Sequence, residues 1–218
     1  MKEKVIAIYG AGGFGREVAW LVDTIASSGE EIKVVCFIDD NPNLIGMIIN
    51  NIEVLSIDLV ANKYPHCSVV SGIGIPRLRE VTMIKACDAG LRTLSLIHPA
   101  TEMSKWLTIG EGTVICAGNI LTTNIILGKH VQINLDCTIG HDVVMDDYST
   151  LAPGVHISGC VTIGKRAYIG TGAIVINGTQ NAPIVIGDDV VVGAGACVTR
   201  SIPPGETWVG VPARPVRA

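Results

Sequence analysis

The chain of 218 residues is 48% hydrophobic, 4% aromatic and 17% charged, with 25 glycines and a formal net charge of −4; that apolar share supports a buried core and excludes an unstructured chain. Its 16 Lys and Arg are spread out rather than clustered, which argues against nucleic acid as a partner. Few rings and many glycines point to a core of small branched side chains in a repetitive β structure. Seven cysteines, at 36, 67, 87, 116, 137, 160 and 197, are odd in number and include no CxxC. Neither a disulfide framework nor a structural zinc site is therefore expected, and a reducing cytoplasm fits. The N-terminal MKEKVIAIYGAGG lacks a signal-peptide core, and no run approaches the roughly 18 apolar residues of a membrane span.

In chain order, KVIAIY at 4–9 is a short β-branched run ending at glycines. The following FGREVAWLVDTIA places Val18, Leu21, Val22 and Ile25 at helical spacing, giving strand, turn, helix. A second apolar run, KVVCFIDD, ends in two acids. A third, HCSVVSGIG, precedes RLREVTMIKACDAG, whose apolar residues recur at helical intervals. This alternation predicts a small parallel α/β unit.

After LIHPAT the pattern changes. Stepping by six from Ile109 to Val175 meets twelve aliphatic residues in succession, which chance produces on the order of once in several hundred thousand trials if a third of positions are aliphatic. Positions two residues earlier are mostly small or apolar, so residues i−2 and i both point inward and the remainder make corners. A six-residue period of this kind predicts a left-handed parallel β-helix with three short strands per coil. The pattern breaks after Val175 and resumes at Ile186, Val192 and Val198, a step of eleven instead of twelve, so NGTQNAP at 177–183 reads as a loop leaving the coil. The proline-rich RSIPPGETWVGVPARPVRA is expected to lie back over the final coils.

Hexapeptide repeats followed by IPPGETWVGVPARPVR, and preceded by IYGAGGFGREV, FIDD and GIGIPRLREV, resemble the sialic-acid O-acetyltransferase and UDP-amino-sugar N-acetyltransferase (NeuD/PglD-like) family over nearly the whole chain. The resemblance implies a Rossmann-like nucleotide-sugar-binding domain at 1–98 and a β-helix acetyltransferase domain at 99–218. It also implies a homotrimer, with acetyl-coenzyme A as co-substrate in a cleft between neighbouring β-helices.

GAGGFG at 10–15 lies between a strand and a helix, where backbone N–H groups can cradle phosphate, and Asp39 follows at about the distance of a ribose-binding acid. The α/β half ends near residue 100, too short for a full dinucleotide fold, so half a site suits a nucleoside diphosphate. The resemblance implies contacts from Gly12, Gly13, Phe14, Asp39, Asp40 and Gly74, with Phe14 standing where the family often has histidine. The alternative is a glycine turn that serves close strand–helix packing.

Acetyl transfer needs a base that titrates near neutral pH, a place for a thioester and donors for an oxyanion. His141 in GHD sits on a corner with Asp142 beside it to fix its tautomer, and both match the family's catalytic pair. By the same resemblance Asn134 lies near the reacting sugar. The N–H of Gly159 faces the acetyl carbonyl, and Thr150 stands where the family often has a cofactor-side histidine. Thr171, Gly172 and Ala194 meet the pantetheine arm. His130, His141 and His156 lack the close His-x4-His pair of hexapeptide carbonic anhydrases, so no metal is expected. Cys137 lies on the inward track as a packed thiol. The expected activity is N-acetylation of a nucleotide-linked amino sugar in surface-glycan biosynthesis. Alternatives are O-acetylation of sialic acid or another sugar, and a noncatalytic nucleotide-binding scaffold.

Overall fold

The structure, a computed structural model, describes residues 3–216; Met1, Lys2, Arg217 and Ala218, at the outer ends of the two expected domains, lie outside them. The chain divides into two compact units, Met1–Pro99 and Ala100–Ala218.

In the first unit, β1 (Lys4–Tyr9), β2 (Ile32–Ile38), β3 (Ile48–Ile49), β4 (Ile52–Leu55), β5 (Ser68–Ser71) and β6 (Arg92–Thr93) form one sheet in the order β3-β4-β2-β1-β5-β6. It is parallel except for the short β3–β4 hairpin. The helices are α1 (Gly13–Ser27), α2 (Ile57–Lys63) and α3 (Pro76–Asp88). On α1 the buried face carries Val18, Leu21, Val22 and Ile25, as its spacing predicts. Helix α3 differs from a simple apolar stripe: Arg79, Thr82, Met83 and Ala86 are buried, while Leu78, Val81 and Ile84 are exposed. The cause lies at its first turn, where the Arg79 guanidinium turns inward and donates to the carbonyls of Ile73 (3.1 Å) and Gly74 (3.4 Å). The chain fills β1, β2 and β4 on one side and then returns to β5 on the other, which opens a crevice at the carboxyl ends of β1 and β5.

The second unit is a parallel β coil with three faces. The first face stacks Val114–Ile115, Gln132–Ile133, Thr150–Leu151, Tyr168–Ile169 and Val191–Val192. The second stacks Ile120–Leu121, Thr138–Ile139, His156–Ile157, Ile174–Val175 and Cys197–Val198. The third stacks Leu107–Ile109, Ile125–Leu127, Val144–Met145, Val161–Ile163 and Ile184–Ile186. Both inward tracks fill the interior: from Ile115 to Val198 the six-step residues are buried, and so are Val131, Cys137, Val143, Val155 and Val161 two places earlier. Corners close through left-handed residues every six positions, among them Asn124, Asp136, Asp142, Gly154, Cys160 and Gly172.

Partners in the lower coils are 18 residues apart. Above the loop Ile163 pairs with Ile186 and Val175 with Val198, a spacing of 23. The irregularity is therefore five extra residues between one strand and the next, and not one residue missing from two steps. The loop closes on itself through reciprocal bonds between Thr179 and Ala182 of 3.0 and 3.1 Å. The C-terminal stretch also departs from expectation: Ile202 bridges Ile186 and Thr207–Val209 adds a parallel strand to Val191–Val192. Only then does Arg214–Pro215 turn back antiparallel. Prolines at 203 and 204 hide a continuing coil, because Ile202 and Trp208 are buried in the two inward positions.

Leu151 is wholly buried in the coil, so Leu151→Ala should destabilise the protein by about 2–5 kcal/mol in denaturant unfolding. Deleting residues 179–183 removes only the five extra residues and should leave the unfolding midpoint near that of the parent. Loss of cooperative unfolding in the deletion would contradict the register.

Candidate active site

The crevice of the first unit is a cavity of about 330 Å³ whose lining includes Gly12, Gly13, Phe14, Asp39, Asp40 and Gly74, together with Tyr9, Gly72 and Ile75. All six predicted substrate residues of this unit are thus brought together. Its glycines do two jobs. A Cβ on Gly15 would lie 1.9 Å from the Gly10 carbonyl oxygen, so this position serves close packing of α1 on the end of β1. Gly12, by contrast, has nothing within 4 Å of such a carbon, which leaves its backbone open to a ligand. Helix α1 has no side-chain cap and no acid in its first turn, so its N–H groups are offered to an external anion.

The two acids are held by the protein itself. Asp39 accepts the Ala11 N–H at 3.0 Å and the Asn41 N–H at 2.9 Å, tying the glycine loop to the end of β2. Asp40 accepts the Tyr9 hydroxyl at 3.0 Å and pairs with Lys85. Burial, then the bond to Asp40, pushes the Tyr9 phenol well above its ordinary range. Arg79 was not singled out by the sequence; the structure shows it clamping residues 73 and 74, which line the cavity.

In the second unit His141 and Asp142 do face one another: Nδ1 of His141 lies 2.8 Å from Oδ2 of Asp142. Asp142 is the corner residue itself, at φ 57°, a left-handed conformation that Asp tolerates and that turns its carboxylate back toward the preceding ring. Hydrogen bonds from His141 and then from Asn124 hold the Asp142 carboxyl below its ordinary pKa. A depressed folded-state pKa contributes stability that is present above the unfolded pKa and lost as pH falls through the lower folded value, so Asp142 is ionised across the neutral range. An ionised carboxylate only accepts, so Nδ1 carries the proton and the lone pair of the neutral ring is on Nε2. That edge of the ring lies over Gly159, where a Cβ would come within 2.5 Å of Cε1 and Nε2.

Asn124 is a residue the sequence reading missed. Its Nδ2 donates to Oδ1 of Asp142 at 3.2 Å, and the Asp142 N–H donates to the Thr123 carbonyl at 3.1 Å. Counting 18 back from Asp142 would have found it. Other predicted residues lie on a different corner, between the first and second faces. There the Gly172 N–H donates to the Pro153 carbonyl and the Gly195 N–H to the Thr171 carbonyl, and Thr171, Gly172 and Ala194 are exposed. Asn134 shares that corner but is buried, and its Nδ2 donates to the Leu151 carbonyl at 3.0 Å, a staple between coils. Thr150 corrects the sequence reading: it is wholly buried on the first face, so within this chain it cannot offer its hydroxyl to a cofactor in an open cleft.

The other histidines stand apart. His130 is buried and stacked on Tyr148 with ring centres 4.9 Å apart, and His156 bonds to the Thr138 hydroxyl at 2.8 Å. Cys137 is packed as its track predicts, and burial pushes its thiol up to about 11.

A parallel β coil that carries a carboxylate-oriented histidine over a bare glycine, together with an anion-accepting α/β unit, defines a class: an acyltransferase of the hexapeptide-repeat type. Comparison with known proteins narrows it. Residues 5–86 match the PglD N-terminal domain. The chain is 33% identical to GDP-perosamine N-acetyltransferase of Escherichia coli O157:H7, with 96% of this chain and 95% of that one aligned. Among solved structures, WeeI from Acinetobacter baumannii AYE is 37% identical with a TM-score of 0.90, over 98% of this chain and all of that one. The H141N mutant of perosamine N-acetyltransferase from Caulobacter crescentus, in complex with CoA and GDP-perosamine, is 28% identical with a TM-score of 0.85, over 98% and 97%. The chain belongs to the NeuD/PglD-like family of sugar acetyltransferases, and it is an acetyl-coenzyme A dependent enzyme.

A side chain at 159 must displace the His141 ring, so Gly159→Ala should lower turnover by about 10- to 100-fold with little change in thermal midpoint. Asn124→Ala should weaken the hold on Asp142 and reduce turnover severalfold, moving the acid limb of the pH–rate profile; an unchanged profile would remove Asn124 from the relay.

Proposed function

We propose that the protein transfers the acetyl group of acetyl-coenzyme A to the amine of a nucleotide-linked amino sugar, as a step in surface-glycan biosynthesis. The observation that carries this reading is the chain of hydrogen bonds from Asn124 through Asp142 to His141, ending in an Nε2 lone pair above Gly159. As the amine nitrogen attacks the thioester carbonyl, Nε2 takes its proton; Asp142 supports the imidazolium that results. The carbonyl oxygen becomes an oxyanion beside the Gly159 backbone, and collapse of the tetrahedral species expels the coenzyme A thiolate. The imidazolium gives its proton to the departing thiolate, directly or through solvent, which restores the base.

The first unit, read as a Rossmann-like nucleotide domain, holds the diphosphate at the open N-terminus of α1, with Gly12, Gly13, Phe14 and Gly74 against the ligand and Asp39 and Asp40 shaping the rim. The preference for a nucleotide amino sugar is supported by the relatives, two of which are named for GDP-perosamine or perosamine N-acetylation. The second unit is read as a left-handed coil. Its site residues divide between two corners: His141, Asp142 and Gly159 on one, Thr171, Gly172 and Ala194 on the other. A homotrimer that sets one chain's first corner against the second corner of its neighbour would complete a cleft for the pantetheine arm. Asn134, which the resemblance sets near the reacting sugar, is held in place by the bond from its amide to the Leu151 carbonyl. Among the described residues no helix is long and apolar enough to cross a membrane, in keeping with a cytoplasmic site of action on activated sugars.

The test is a thiol-release assay with acetyl-coenzyme A across GDP- and UDP-linked 4-amino sugars and free sialic acid. One or more nucleotide amino sugars should release thiol, and His141→Ala should depress that turnover by about a hundredfold or more. Release with sialic acid alone would favour O-acetylation. No release with any acceptor, alongside tight nucleotide-sugar binding, would favour a scaffold.

A further inference from the structure

We propose that His141, Asp142 and Cys160 form a binding site for a thiophilic divalent cation of the zinc class, and that its occupancy reversibly withdraws the imidazole from catalysis. One nitrogen, one carboxylate oxygen and one thiol from these residues all lie within 4.8 Å of one another. Modest side-chain rotations bring such a set to the roughly 2.0–2.3 Å ligand bonds of a tetrahedral ion, with water in the fourth position. The coil builds the cluster. Cys160 stands one layer above Asp142 on the corner track, and its N–H donates to the His141 carbonyl at 2.9 Å, so the thiol belongs to the layer directly above the pair.

Cys160 differs from the packed thiols in its exposure and its corner position. It is 8% exposed, so it is shielded from bulk water yet within reach of two polar ligands. Its backbone has φ 57°, at a corner position where the fold often uses Gly, Asn or Asp, among them Gly112, Asn124, Asp136, Gly154 and Asp189. His130, Tyr148 and Arg166 adopt the same conformation on this track, so the backbone fixes where the thiol stands, one layer above Asp142, and it is the grouping of the three ligand atoms that points to the site. The donor set is selective as well: thiolate, imidazole and one carboxylate suit zinc, whereas magnesium and calcium require cages of oxygen. On binding, the thiol releases its proton to solvent and the ring contributes a lone pair to the metal, so the base is lost until a chelator removes the ion. The inhibitory consequence rests on the reading of His141 as general base; the binding site itself does not.

Metal-free protein in a non-chelating reductant is titrated with cobalt(II), and the thiolate-to-cobalt charge-transfer band is followed. The band should saturate at about one equivalent and be displaced by zinc, and Cys160→Ser and Cys160→Gly should abolish it and weaken zinc binding by about tenfold or more. Glycine suits the left-handed backbone, so the second variant keeps the test open if the first does not fold. In parallel, buffered zinc should suppress acetyl transfer by the wild-type protein and a chelator should restore it. Both variants should keep their turnover without zinc and lose at least about tenfold in zinc sensitivity. Absence of the band, its persistence in both variants, or equal zinc sensitivity of wild type and variants would overturn the proposal. Because the cobalt band is read without substrate, a failure to find any acetyl acceptor bears on the proposed function and not on this site.

Discussion

The spacing of 18 residues between stacked strands is the constraint on which the site depends. Once Ile139 is locked between Leu121 in the layer below and Ile157 in the layer above, every corner residue has a fixed neighbour on either side. Asn124, Asp142 and Cys160 are consecutive layers of one stack, and His141 is set beneath Gly159. The hydrophobic interior thereby does the positioning that a catalytic pair requires. A ring with 59% of its side chain exposed could otherwise sample many rotamers. Here the carboxylate on one side favours the orientation that sets Nε2 over the bare glycine on the other.

The first unit solves a different problem by related means. Close approach of α1 to the strand ends demands a residue without a side chain at Gly15, and Arg79 and Asp39 then fix the two loops that border the crevice through bonds to backbone groups. The charged groups nearest the cavity are largely neutralised within the protein, Asp40 by Lys85 and Tyr9. The amino end of α1, by contrast, has neither a side-chain cap nor an acid in its first turn. A phosphate is the ligand that this electrostatic arrangement favours.

Most of the coil was legible in the sequence because a buried track of aliphatic residues is periodic, and the period names its own geometry. The strand–helix alternation of the first unit was legible for the same reason, through Val18, Leu21, Val22 and Ile25. What escaped was everything decided by neighbours far apart in sequence. The prolines at 203 and 204 masked a further partial coil, since Ile202 and Trp208 keep the inward positions through a shortened step. The helical spacing of apolar residues in RLREVTMIKACDAG did not show which of them are buried: Leu78, Val81 and Ile84 are exposed, and Arg79 is turned inward. Thr150 was aligned with a cofactor residue by motif, and burial on the first face decided against it. Asn124 and Cys160 carry no motif at all. They become visible only when the corner track is stepped by 18 in the same way as the core track.

The central claim is that the register of the coil sets the tautomer of His141, with its proton on Nδ1 toward Asp142 and its lone pair on Nε2. Nitrogen-15 NMR of histidine-labelled protein, correlating the ring nitrogens of His141 with its carbon-bound protons, reads that tautomer directly above the pKa of the ring. The account predicts a protonated-type signal for Nδ1 and an unprotonated-type signal for Nε2, with the preference lost in Asp142→Asn. A ring protonated on Nε2 in the wild-type protein would contradict it.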